Sequence, residues 1–188
     1  MALQYAILGT LDLTGEASGY DLSTSLMNSA GNVWYADRPQ IYRMLNRLED
    51  DGLVSSREDP ESGRGRKLYV ITEAGQEVLQ QWLESDFEND WNPRQPNLLR
   101  LFYGKRVPDE RIREQILDYR GYLQHALNDL FPQTEAKIKR GEKHLPEDAF
   151  YWRITLDQGY KVVTALIEWC DNVIARLDER VNNRDENQ

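Results

Sequence analysis

The 188-residue sequence is poor in the residues that build disulfides, metal centres and membrane spans: it has one cysteine and two histidines, and no apolar run long enough to cross a bilayer. Each shortage excludes something. A lone cysteine, Cys170, rules out an internal disulfide framework and a multi-cysteine zinc site. It sits in a helical apolar stripe, where a thiol serves as a small hydrophobe. His125 and His144 lie in different segments with no ligand cluster around either, so no metal is expected. The chain has no serine–histidine–acid pattern of known spacing, no GxxxxGK[ST] loop and no GxGxxG after a strand. These absences predict a protein that is not an enzyme and needs no cofactor. The opening MALQYAILGTLDLTGE has no basic n-region, which predicts no secretory signal; with no spanning run and a lone cysteine, the expectation is a cytoplasmic protein with no membrane partner.

Positive charge is scarce too. Lys and Arg number 23 against 32 Asp and Glu, a net charge of −9. Proteins that bind phosphate backbones usually carry a basic patch. Here the distribution matters more than the sum. Residues 38 to 47 hold three arginines and no acid, and residues 62 to 72 hold Arg64, Arg66 and Lys67 and no acid. The acids gather elsewhere, for instance at Glu49, Asp50, Asp51, Glu58, Asp59 and Glu61. An acidic body with two local basic sites weakens non-specific DNA binding and favours selectivity.

The first basic stretch lies in the best-defined helix of the chain, DRPQIYRMLNRLEDDGL from Asp37 to Leu53. Asp37 suits its N-cap, Pro39 its first turn, and Gln40 the reciprocal capping position. Gly52 ends it. Ile41, Met44, Leu45 and Leu48 make one apolar stripe, and Arg38, Gln40, Tyr42, Arg43, Asn46 and Arg47 form the polar side. Such side chains reach phosphates and base edges.

Around it the pattern predicts a helix over residues 2–13, broken at Gly15. A second helix begins at Ser18 with Asp21 as capping-box acid and Tyr20, Leu22, Leu26 and Met27 inward. Asn28 to Asn32 reads as a turn, and Val33-Trp34-Tyr35 as a brief strand. Leu53–Arg57 and Lys67–Ile71 are β-prone runs around a turn-rich loop, hence a hairpin. Thr72 caps a further helix whose inner side is Val78, Leu79 and Trp82. Three helices followed by a hairpin is the order of a winged helix-turn-helix.

The acidic, proline-bearing stretch 85–96 marks a domain boundary. It separates a winged-helix domain over residues 1–85 from an α-helical domain over 95–182. After a helix at 95–105, the pattern predicts a helix over 108–130 with stripe Ile112, Ile116, Tyr119, Leu123, Leu127 and Leu130, closed by Phe131-Pro132. Lys137 to Pro146 reads as a mobile connection. From about Glu147 a long helix carries Tyr160, Val163, Ile167, Cys170, Ile174, Leu177 and Val181 in alternating steps of three and four, a coiled-coil seam. A second stripe, Trp152, Leu156, Val163, Leu166 and Val173, widens the apolar surface beyond what two neighbouring helices cover. A second copy of the chain is the simplest further partner, with Ile112, Ile116, Leu123, Tyr160, Val163, Ile167, Cys170 and Ile174 as dimerisation residues. The tail 182–188 is polar and expected to fray. The predicted class is mainly α: an α+β winged helix-turn-helix with a hairpin wing, then an all-α dimerisation domain.

Several segments together resemble the PadR family of transcriptional regulators. They are Ala6-Ile7-Leu8-Gly9, Ser18-Gly19-Tyr20-Asp21-Leu22, Gln40 to Leu45, Leu48 to Val54, and Gly65 to Gly75. Each is weak alone; in order and at the family's spacings they are specific. Asn97 to Gly104, Leu156-Asp157-Gln158-Gly159 and Glu168-Trp169 resemble, more loosely, the C-terminal domain of the longer subfamily. The resemblance implies a homodimeric repressor on a pseudo-palindromic operator in double-stranded DNA, and effectors of phenolic or drug-like chemistry. It also implies a phosphate contact for Tyr42, whose alternative is packing under the hairpin, and a wing role for Arg66 and Lys67 more than for Arg64.

Arg38, Gln40 and Arg43 are the candidates for base-edge contact. Gln40 is equally a helix cap, and Arg47 touches phosphate or pairs with Asp50 or Asp51. Gly63-Arg64-Gly65-Arg66-Lys67 suits a wing tip in a minor groove. Trp152, Trp169, Tyr119, Tyr122 and Tyr160 are candidates for an aromatic effector pocket, though each taken singly reads as core. The rival functional reading is an acidic winged-helix module that docks proteins. It has no need of both an arginine-faced helix and a basic wing.

Overall fold

The computed structural model describes residues 2–26, 37–59, 66–87 and 95–185. It divides into two compact units, Met1–Asn89 and Asp90–Gln188. In the first, helix α1 (Ala2–Thr14) leads to the two-residue strand β1 (Ala17–Ser18) and helix α2 (Gly19–Ser25). Helix α3 (Arg38–Asp50) follows, then strands β2 (Val54–Glu58) and β3 (Lys67–Ile71) and helix α4 (Glu73–Glu84). The sheet is antiparallel in the order β1-β3-β2, with Ala17 opposite Tyr69 and Ser56 opposite Tyr69 on the other side. The predicted strand at 33–35 and turn at 28–32 lie outside the described residues. Among the described residues, the strand on the other side of β3 is Ala17–Ser18.

Local chemistry sets these boundaries. Gly15 and Gly52 take φ of +74° and +72°, the left-handed conformation glycine adopts freely, where α1 ends and where the chain leaves α3 for β2. The Ser18 and Asp37 capping boxes both form, with Asp21 and Gln40 at the third helical positions. Ile7, Leu8, Leu11, Leu22, Ile41 and Leu45 are fully buried in one core, with Leu48 and Val54 nearly so. Burial of each such side chain stabilises the fold by about 1.5–3 kcal/mol. Tyr20 departs from expectation. It is exposed on α2, and the Arg38 guanidinium stands 4.9 Å from its ring centroid. Trp82 is partly exposed but stacks on Tyr5 at 4.4 Å.

The second unit comprises α5 (Pro96–Phe102), a 3₁₀ turn at Gly104–Arg106, α6 (Asp109–His125), a π-turn at Ala126–Leu130, α7 (Phe131–Gly141) and the 40-residue α8 (Pro146–Asp185). Two expectations change here. Phe131-Pro132 does not close a helix: Pro132 occupies the first turn of α7, where a missing N–H costs nothing. The connection expected at 137–146 is helical to Gly141, because Phe131 and Ile138 bury one face of α7 with Ala149 and Leu156. The tail also stays helical further than expected, to Asp185. Helices α6 and α8 run antiparallel and are tied by Arg180–Asp109 at 3.1 Å, Arg113–Asp178 at 2.6 Å and Arg120–Asp171 at 2.5 Å.

Candidate nucleic-acid interface

The apolar stripe of α3 turns its opposite face outward. With Ile41 and Leu45 at zero exposure and Leu48 at 1%, the residues between them are forced to the surface. Arg38, Gln40, Tyr42, Arg43, Asn46 and Arg47 are accordingly exposed. Gln40 is engaged in the cap: the Asp37 N–H donates to Gln40 Oε1 at 3.1 Å, and the Gln40 N–H donates to Asp37 Oδ1 at 2.8 Å. Arg47 lies 3.7 Å from Asp51, one of the two partners expected for it. Arg43 has no ion-pair partner among the described residues, which leaves its five donors free for a ligand.

Beside α3 lies the root of the hairpin. Residues 60–65, including Arg64, lie outside the described part. Arg66 and Lys67 are within it, and both are paired with acids of the helices. The Arg66 guanidinium bonds to the Asp21 carboxylate, donates to Ser18 Oγ at 3.1 Å, and stands 3.8 Å from Asp59. Lys67 Nζ donates to Glu49 Oε2 at 3.3 Å, and the Ser56 hydroxyl bonds to the same carboxylate. These contacts hold both acids below the usual carboxylate range. For Asp21 the Ser18 hydrogen bond is the largest cause, with Arg66 adding to it; for Glu49 it is the Ser56 hydroxyl, with Lys67 behind. Ser18, Asp21 and Glu49 thus belong to the site. Sequence reasoning gave Ser18 and Asp21 only a capping role and Glu49 only a place among the acids. Nothing in local spacing shows that they meet residues of the hairpin.

Tyr42 sits where both of its readings meet. Its ring covers Gly19 so closely that a Cβ there would overlap it, yet the residue remains exposed. Ser18, Gly19, Tyr20, Tyr42, Arg66, Lys67 and Tyr69 line an open concavity of about 480 Å³. Three tyrosines, a serine and two carboxylate-paired cations thus surround one concavity beside α3.

The residues assigned to dimerisation have a different placement. Ile112, Ile116, Leu123, Ile167 and Cys170 are buried in one core between α6 and α8 of the same chain, with Val163 and Ile174 packed against it. Tyr160 packs edge-on against Phe131 at 4.7 Å and joins the core of α7. The centre of that seam is packed within the chain, while Tyr160, Val163, Ile174 and Leu177 remain partly buried. The apolar side chains still in solvent are others, including Leu99 and Phe102 of α5 and Phe150 and Ile154 of α8. Of the aromatics considered for an effector, Tyr122 is exposed; Trp152, Trp169, Tyr119 and Tyr160 pack against the cores. Among the described residues no His, Cys, Asp and Glu cluster fit for a metal ion occurs, and no helix is long and apolar enough to cross a membrane.

A three-helix domain with a hairpin wing, an arginine-faced third helix and a long-helix C-terminal unit defines a winged-helix regulator. Comparison with known proteins places it further. Residues 7–81 match the transcriptional regulator PadR-like family, and residues 93–178 match the virulence activator alpha C-terminal family. Residues 7–81 are thus a PadR-like domain, joined in this chain to a C-terminal region of the virulence activator type. Over 181 residues it is 25% identical to the negative transcriptional regulator PadR of Bacillus subtilis, covering 94% of this chain and 98% of that one. Its fold matches the crystal structure of Bacillus PadR in complex with operator DNA at TM-score 0.79, with 23% identity over 94% and 97% of the two chains. The Bacillus protein in complex with p-coumaric acid matches at TM-score 0.68, with 21% identity over 95% and 99%. The Vibrio cholerae virulence activator AphA matches at TM-score 0.73, with 27% identity over 95% and 99%.

Proposed function

We propose that this PadR-like regulator binds a specific operator in duplex DNA as a homodimer and represses transcription. The observation that carries the reading is the α3 surface: Arg38, Arg43 and Arg47 stand on the solvent face of a helix whose other face buries Ile41, Leu45 and Leu48. Arg43, unpaired among the described residues, is the leading base-edge contact, with Arg38 and Gln40 beside it. Tyr42 and Arg47 touch phosphate, and Arg64, Arg66 and Lys67 belong to the wing. In this reading residues 1–85 are the DNA-binding domain and residues 95–182 the dimerisation domain. Two winged helices enter successive major grooves about one helical turn apart.

The partner surface in this reading takes in the partly buried Tyr160, Val163 and Ile174 together with exposed apolar side chains of α5 and α8, Leu99, Phe102, Phe150 and Ile154. The Bacillus relative solved with p-coumaric acid supports a small aromatic effector, which acts by favouring one dimer arrangement over another. The protein works in the cytoplasm, by binding and not by catalysis. Selection from a pool of randomised duplexes tests the reading. An enriched inverted repeat is the expected result. No enrichment, together with capture of a protein partner through the α3 face, would favour the docking-module reading.

A further inference from the structure

The two cations at the root of the wing are the ones a DNA-binding reading would spend on phosphates, yet both are already bound to carboxylates of the helical body. Arg66 meets Asp21, 45 residues earlier in the chain, and Ser18 Oγ. The Ser18 hydroxyl donates to Asp21 Oδ2 at 2.7 Å, and the Ser18 N–H donates to the same oxygen at 3.2 Å. The Asp21 N–H donates back to Ser18 Oγ at 3.1 Å. One carboxylate therefore closes the cap of α2 and grips the first residue of the described wing root. The same segment is also tied through the sheet, where Ser18 pairs with Leu68 and Ala17 with Tyr69. The Asp59 N–H donates to the Arg66 carbonyl at 2.7 Å, so the gripped residue also fixes the opposite strand.

We infer that Asp21 is a positioning residue for operator recognition: by holding Arg66 it sets the wing root against α2 and α3, and Arg66 serves as a structural clamp and not as a phosphate contact. The inference deepens the operator reading and rests on it. Its consequence has an unusual sign. Removing an acid from a surface that faces a polyanion ordinarily tightens binding, since each carboxylate repels phosphate. If Asp21 acts by positioning, its loss weakens specific binding despite the gain in electrostatic attraction.

The test measures binding of operator and scrambled duplexes at several salt concentrations by the wild type, Asp21→Asn, Asp21→Glu, Arg66→Met and the double variant Asp21→Asn with Arg66→Met. Asn keeps an acceptor for the Ser18 N–H, and thermal melting checks that each variant is folded. The expected result is that Asp21→Asn lowers the ratio of operator to scrambled affinity about tenfold, while scrambled binding holds or tightens. Arg66→Met gives the same selective loss with the salt slope unchanged, the double variant is no worse than either single one, and Asp21→Glu restores the ratio. Tighter binding of Asp21→Asn to both duplexes would overturn the inference. So would a salt slope lowered by about one unit in Arg66→Met, which marks a lost phosphate contact. Should the wild type itself not distinguish the duplexes, the operator reading fails first, and that outcome is visible before any variant is compared.

Discussion

At Gly75 the chain has no room for a methyl group, because a Cβ would overlap the carbonyl oxygen of Leu53, a backbone atom that cannot step aside. Gly75→Ala is expected to cost about 1–3 kcal/mol, read as a lowered denaturant midpoint. A midpoint equal to wild type would show that the β2 entry can yield. Gly19 is a gentler case with a functional readout. A methyl there meets the Tyr42 ring, which can swing away. Gly19→Ala should therefore change DNA affinity more than stability, and the reverse order would mean that Tyr42 is core. Arg43→Ala removes the unpaired arginine of α3 and should relax sequence preference by about 1–3 kcal/mol while leaving scrambled duplex binding nearly unchanged. Operator preference equal to wild type would remove Arg43 from the base-reading set. Cys170 is buried, and burial pushes its thiol pKa up. It should resist thiol reagents until the C-terminal unit unfolds; rapid labelling of the native protein would contradict that.

Between elements, carboxylates and cores do different work. Asp21 and Glu49 are held below their ordinary values of 3.8 and 4.5. Groups depressed in the folded state contribute stability that is complete above those ordinary values and is lost as pH falls below them and through the folded ones. The N-terminal unit should therefore melt at falling temperature as pH drops below about 4.5, with Asp21→Asn and Glu49→Gln flattening the curve. An unchanged acid limb in both variants would deny the wing-root pairs any part in stability. In the C-terminal unit the Arg113–Asp178 and Arg120–Asp171 pairs between α6 and α8 are largely solvent-exposed, so their register matters more than their energy. The buried seam outweighs them: Leu123→Ala should cost about 2–5 kcal/mol, far more than Asp178→Asn.

The elements also show what the sequence pattern could and could not carry. Helix α3 was legible because its cap, its proline, its stripe and its terminal glycine are all local signals. The two-residue strand β1 was not, since two residues carry no period and exist as a strand only against Leu68 and Tyr69. Helix α7 was hidden by reading Phe131-Pro132 as a stop, where proline equally begins a helix. The seam of α8 is legible from its alternating steps of three and four, and its packing against α6 follows the expected neighbour; Val163, Ile174 and Leu177 stay partly buried there. In the candidate site the arginines of α3 were legible and the acids that hold the wing root were not. Asp21 and Glu49 stand 45 and 18 residues from their cations, and only the folded sheet brings them together.

For the whole molecule, a net charge of −9 and a DNA-facing role are reconciled by placement. The described cations of the N-terminal unit concentrate on α3 and the hairpin strands, and four of them, Arg47, Arg57, Arg66 and Lys67, are paired with neighbouring acids. Such a surface should bind random duplex weakly and depend on correct base contacts for affinity. The most direct measurement is fluorescence anisotropy of the purified protein with duplex from its own upstream region and with a scrambled duplex, at two salt concentrations. The account predicts a preference of about 10³ or more, with binding that falls steeply as salt rises. Equal and weak binding to both duplexes, insensitive to salt, would contradict it and turn attention to a protein partner for the α3 face.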